Sequence, residues 1–171
     1  AAGLDPRPAT RVFETWARKE RFEPILGAPL EDAPRVDLSV ASPLLVEGAD
    51  DLSMEAWGRR LEELRRAASA PATVGYHDES RLLYAASEAF GEPREDGVEP
   101  RTAHLGVDLF APAGTEVRAP LAGRVLSVAI NAAPLDYGPT VILEHAPEDA
   151  EPFWTLFGHL EAASVAGLSM G

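Results

Sequence analysis

His104-Leu105-Gly106-Val107-Asp108 sets an imidazole and a carboxylate four residues apart. Both are donors that hold a divalent metal ion without a thiol. The chain has no cysteine, which excludes disulfides, cysteine-zinc sites, iron–sulfur clusters and thiol nucleophiles. Any metal must therefore be held by histidine and carboxylate, and the four histidines are His77, His104, His145 and His159. Leu105, Val107 and Leu109 alternate with His104, Gly106 and Asp108, so the two polar side chains share a face in an extended chain. A flat strand would hold their Cα atoms roughly 13 Å apart, at about 3.3 Å per residue. One ion needs both donors about 2.0–2.2 Å from it, so the backbone must bend, and Gly106 is the residue that permits a bend. The competing reading is a solvated histidine and an aspartate at a strand entrance.

The elements that must position these groups fall into two parts. Before residue 100 the chain reads as mixed, with two or three helices and a strand or two. Thr10 is placed to cap a short helix through Arg21, with Val12, Phe13 and Trp16 on one face. Val36, Leu38 and Val40 alternate with Asp37 and Ser39 as in a half-buried strand. Ser53 stands at an N-cap position, followed by Met54, Trp57, Leu61 and Leu64 at helical spacing and by Glu62, Glu63, Arg65 and Arg66 facing out. Residues 67–73 read as a small-residue linker, and residues 78–90 as a helix ended by Gly91-Glu92-Pro93. From His104 onward come short β-rich runs bounded by Gly or Pro, at 117–120, 123–128, 140–145 and 153–157. The expected fold class is α+β: an N-terminal helical and mixed segment over residues 1–99, then a mainly antiparallel β domain over residues 100–171.

Composition narrows the partners. The 171 residues are 46% hydrophobic and 25% charged, which fits a packed globular protein. A net charge of −13 repels phosphate polymers and argues against nucleic acid and anionic membrane surfaces, while it suits a cation. No apolar run approaches the roughly 18–20 residues of a membrane-spanning helix.

The HxxxD segment leads into Ala111-Pro112-Ala113-Gly114-Thr115-Glu116-Val117, then Thr140-Val141-Ile142-Leu143-Glu144-His145, then Thr155-Leu156-Phe157-Gly158-His159-Leu160. This order resembles the lysostaphin-like, LytM-type family of zinc endopeptidases that cut peptidoglycan cross-bridges, over roughly residues 100–165. The resemblance implies a compact β domain of two antiparallel sheets, with His104 and Asp108 as zinc ligands and His159 as a catalytic, non-ligating imidazole. It implies that His145 occupies a position often held by a histidine that does not ligate, and that Phe157 replaces the usual tyrosine. The implied partner is a peptide or peptidoglycan-type substrate.

One part of that pattern is missing. The family takes its third zinc ligand from a downstream His-x-His, and this chain has none; no histidine follows His159. Two of three expected zinc ligands are present, so the expectation is an inactive fragment whose β domain is incomplete at its C-terminus. His77 or His145 would otherwise have to be recruited in a manner foreign to the family. Residues 36–42, 76–84 and 133–140 are also similar to the middle of bacterial fusion proteins that join a kinase-like domain, this peptidase-like domain and a class III aminotransferase. That resemblance implies a cytoplasmic location and the rest of a longer chain as partner; removal of a leader would imply the cell envelope instead. Lys19 is the only lysine and sits in a charged run, so no pyridoxal phosphate site is expected here. The alternatives in function are a non-catalytic binding or regulatory module of a larger enzyme, and a phosphocarrier acting through His104 or His159.

Overall fold

A computed structural model describes residues 8–43, 54–81, 91–94, 97–100, 102–133 and 136–171. The chain forms two compact units, Ala28–Glu116 and the pair of segments Ala1–Gly27 and Val117–Gly171. The fold class is α+β, with mainly antiparallel strand pairing.

In the unit Ala28–Glu116, strand β1 (Arg35–Val36) pairs in parallel with β2 (Thr73–Gly75), and β2 pairs antiparallel with β7 (Leu109–Phe110). Helix α2 (Met54–Ala67) packs against β2. Its Ala56 and Leu61 are buried, whereas Leu64, expected in the same apolar stripe, is 37% exposed. The residues after α2 are core rather than linker: Ala70, Ala72 and Thr73 are buried, and Ala70 clusters with Ala33 and Val74 beneath Leu30 and Leu109. The Thr73 hydroxyl donates to the Leu61 carbonyl at 2.9 Å, tying strand to helix. Strand β3 (Glu79–Ser80) pairs with β6 (Ala103–His104), and β4 (Gly91–Arg94) pairs with β5 (Gly97–Pro100), both antiparallel.

Two expectations in this unit are corrected. The alternation from Val36 to Val40 yields a strand of only two residues. The Asp37 carboxylate accepts the Ser39 N–H and the Ser39 hydroxyl accepts the Ala41 N–H, and these local bonds turn the chain out of the sheet. The helix expected from Asp78 does not begin there. Asp78 is left-handed, with φ of 58°, and Glu79 and Ser80 form β3. Residues 82–90 and Ser53 lie outside the described residues. Gly91-Glu92-Pro93, expected to end a helix, forms the first arm of the β4–β5 pair.

In the other unit, β8 (Arg124–Asn131), β9 (Gly138–His145) and β10 (Phe153–Phe157) form an antiparallel sheet in the order β10-β9-β8. A bulge between Val125 and Ser127 breaks the β8 register. Helix α1 (Pro8–Ala17) starts two residues before the expected cap at Thr10 and stops four short of Arg21. Its Phe13 meets Phe153 edge-on and its Trp16 meets Phe153 at a tilt, at centroid distances of 4.9 and 5.5 Å, while Val12 is exposed. Helix α3 (Ala162–Ala166) packs on β8 and β9 through buried Val165. The strand expected over 117–120 does not form. Arg118 N–H donates to Ile25 and Pro120 accepts from Glu23, but Pro24 and Pro120 have no N–H to extend the ladder.

Candidate metal centre

The HxxxD segment is held at both ends by a stretch of chain that precedes it. Below it, β3 pairs with β6 so that Glu79 lies directly opposite His104, and the Arg81 N–H donates to the Thr102 carbonyl at 2.8 Å. Above it, β2 pairs with β7, and the Gly75 N–H extends that ladder to the Asp108 carbonyl at 2.9 Å. Between the two ladders, residues 105–108 leave the extended conformation. A Cβ on Gly106 would meet the His104 ring at 3.0 Å (Cε1) and 3.1 Å (Nε2). The imidazole therefore folds back over the glycine, and the missing side chain is what gives it room.

The bend brings the donors together. His104 Nε2 lies 3.7 Å from Asp108 Oδ1. That is too long for a hydrogen bond. It is close to the spacing of neighbouring ligands on one ion, since donors about 2.0–2.2 Å from a tetrahedral zinc stand about 3.3–3.6 Å apart. His104 and Asp108 therefore fit as two ligands of a single ion. Among the described residues no group of three or more His, Cys, Asp or Glu is arranged to hold a metal.

The second Asp108 oxygen, Oδ2, is bound by Arg81 Nη1 at 2.6 Å. Arg81 Nη2 reaches Glu79 Oε2 at 2.9 Å, and Glu79 Oε1 accepts the Leu38 N–H at 2.8 Å. Burial pushes the His104 pKa below its ordinary value, with smaller contributions from Asp108 and Glu79 pulling up and from Arg81 and His77 pushing down. The net effect favours the neutral imidazole, which is the form that ligates. His77 Nδ1 lies 2.6 Å from the Leu105 carbonyl; a carbonyl only accepts, so Nδ1 carries the proton.

His159 and His145 belong to the other unit. His159 follows β10 and has a left-handed backbone, φ 56°, uncommon for a residue with a Cβ. Its N–H donates to the Tyr137 carbonyl at 2.6 Å and that of Leu160 to the Pro139 carbonyl at 3.0 Å, which fixes the turn and leaves the imidazole exposed. His145 is the opposite case, at 1% exposure. Its Nδ1 donates to the Ala122 carbonyl and its Nε2 accepts the Thr155 hydroxyl, each at 2.9 Å, and the ring stacks on Phe153 at 4.8 Å. Both ring nitrogens are engaged.

Sequence reasoning did not find Arg81 and Glu79. They belong to a strand pairing with 103–104, and no spacing rule announces a partner that distant in the chain.

No curated protein and no solved structure matches the chain. Residues 102–168, which include His104, Asp108 and His159, match the model of peptidase family M23.

Proposed function

We propose that residues 102–168 are a zinc metalloendopeptidase-type domain directed at peptide bonds of peptidoglycan-type substrates. His104 and Asp108 are two of its zinc ligands, and His159 is the catalytic imidazole. The observation that carries this reading is the 3.7 Å approach of His104 Nε2 to Asp108 Oδ1 within the M23-matching segment. A zinc ion bound there would polarise the peptide carbonyl and lower the pKa of its bound water toward about 7. His104 contributes a neutral nitrogen donor and Asp108 a single oxygen, Oδ1. His159, exposed on a fixed turn, takes up or delivers a proton at the reacting group. The division into residues 1–99 and a peptidase-type domain over 100–171 belongs to this proposal.

A catalytic zinc takes three protein ligands, and no His-x-His occurs in this sequence. The 171-residue chain by itself is therefore proposed to bind zinc weakly and to lack hydrolytic activity. The same shortage favours a second reading, a non-catalytic module that serves a larger multidomain enzyme by binding or regulation. Metal titration combined with peptide cleavage tests the proposal. Zn2+ or Co2+ should bind the chain, and the affinity should fall on His104→Ala and on Asp108→Ala. Added imidazole, a free third nitrogen donor, should strengthen the bound form. Metal binding indifferent to both substitutions would overturn the zinc reading. Peptide cleavage by the chain without added imidazole would overturn the incomplete-ligand reading, and imidazole-rescued cleavage that survives His159→Ala undiminished would overturn the role of His159.

A further inference from the structure

We infer that Arg81, backed by Glu79, is a positioning residue of this metal centre: it holds the Asp108 carboxylate through Oδ2 so that Oδ1 faces His104, and it does so from outside the segment 102–168. The inference rests on the reading of His104 and Asp108 as metal ligands.

The two carboxylate oxygens are divided between two partners. Oδ2 is bound by Arg81 Nη1 at 2.6 Å, and Oδ1 faces His104 Nε2 at 3.7 Å. Guanidinium and imidazole approach different oxygens, so Arg81 does not compete for the oxygen that faces His104. It removes one oxygen from use and leaves a monodentate donor aimed at the other ligand. Ligating carboxylates depend on such outer partners for their orientation.

Arg81 is itself held. Its Nη2 contacts Glu79 Oε2 at 2.9 Å, and Glu79 accepts the Leu38 N–H through its other oxygen. The side chains of Arg81 and Glu79 are 12% and 5% exposed, so the relay is buried, unlike a solvated ion pair. The backbone fixes the same residues, through the Glu79–His104 pairing and the Arg81 N–H bond to Thr102. The relay also packs closely on β2: a Cβ on Gly75 would press on Leu38 Cδ1 at 3.1 Å and stand in ordinary contact with Asp108 Cβ at 3.4 Å and Arg81 Nη2 at 3.5 Å. A guanidinium is required because its planar fork reaches two carboxylates at once, which the single ammonium of lysine does not reproduce. Glu79 also offsets the charge of Arg81, which would otherwise repel a divalent cation at Oδ1.

The test uses the whole chain with Co2+ as the probe, read by its visible absorption, together with NMR of the Arg81 guanidinium in the metal-free protein. The apo experiment needs no variant. Nη protons resolved by restricted rotation support the inference, and a single averaged signal overturns it. In the titration, Arg81→Gln should weaken Co2+ binding about 10–100-fold, with Arg81→Lys intermediate. Urea midpoints measured alongside separate this loss from general destabilisation, and Arg81→Lys carries the comparison if the glutamine variant does not fold. Wild-type binding that depends on His104, combined with unchanged affinity in both Arg81 variants, overturns this inference alone. Wild-type binding that ignores His104→Ala overturns the metal-centre reading and this inference with it.

Discussion

Replacing His145 by leucine separates a structural histidine from a ligating one. The side chain is 1% exposed, both ring nitrogens are in hydrogen bonds of 2.9 Å, and the ring stacks on Phe153. Leucine fills much of the volume and supplies neither polar atom. The Thr155 hydroxyl would lose its acceptor inside the sheet, at about 1–3 kcal/mol for a buried unsatisfied group. The Ala122 carbonyl would lose a donor at the lower end of that range, because Ala122 is exposed and water can replace the imidazole. The ring stack is worth about 0.5–1.5 kcal/mol more. A net loss of about 2–4 kcal/mol is expected. With a urea slope of about 2 kcal/mol/M, the unfolding midpoint falls by about 1–2 M. Thr155→Val completes a double-mutant cycle, in which the coupling of the two side chains should be about 1 kcal/mol. Co2+ affinity, measured well below the unfolding transition, should not change in His145→Leu. A loss under about 1 kcal/mol, or a collapse of metal binding in a variant that remains folded, would refute the assignment.

Gly106→Ala sets a Cβ 3.0 Å from His104 Cε1 and should displace the imidazole, weakening Co2+ binding at least about tenfold with little change in the urea midpoint. Thr73→Val removes the hydroxyl that the Leu61 carbonyl accepts in addition to its helical N–H bond, and should cost about 0.5–1.5 kcal/mol in urea unfolding with no change in metal affinity. Glu62 is held down to a pKa of about 2 by hydrogen bonds from Arg65 and then Arg66. Because the folded value lies below the ordinary 4.5, its stabilisation is complete above about pH 4.5 and is lost as the pH falls toward 2. NMR titration of the Glu62 carboxyl should give a midpoint near 2 that rises with added salt, and a midpoint near 4.5 at low salt would contradict the pairing.

What could be read from the sequence follows the range of the forces involved. The 153–157 strand and the 140–145 run were legible because their β-rich composition and bounding Gly or Pro are local signals and their mutual pairing is in unbroken register. The helix over Met54–Ala67 was legible for the same reason, although Leu64 turned outward. The failures lie where side chains compete with the backbone or where proline interrupts a ladder. Asp37 captures the Ser39 N–H that the 36–40 strand needed, the Ser39 hydroxyl takes the Ala41 N–H just beyond it, and Pro24 and Pro120 stop the one expected over 117–120. At the site, the bend at Gly106 could be deduced, because two donors four residues apart cannot meet on one ion without it. The partners of those donors could not be deduced, because they come through strand pairing from residues 75–81.

That dependence changes what the segment 102–168 means physically. Strands β6 and β7, which carry the site, are two residues long each, and such strands have no stability of their own. Their partners are β3 and β2, which lie wholly before residue 102. Residues 105–108 between them are held by the His77 bond to Leu105, the Gly75 bond to Asp108 and the Arg81 clamp on the carboxylate, and all three come from residues 75–81. A chain begun at residue 102 would keep His104, Asp108 and His159 and lose each of these restraints. The entropy of ordering four loop residues, about 1–2 kcal/mol each, would then fall on metal binding itself. On the proposed reading, the metal centre would be the joint product of the segment 102–168 and the strands before it, and it would depend on residues 75–81 as much as on His104 and Asp108.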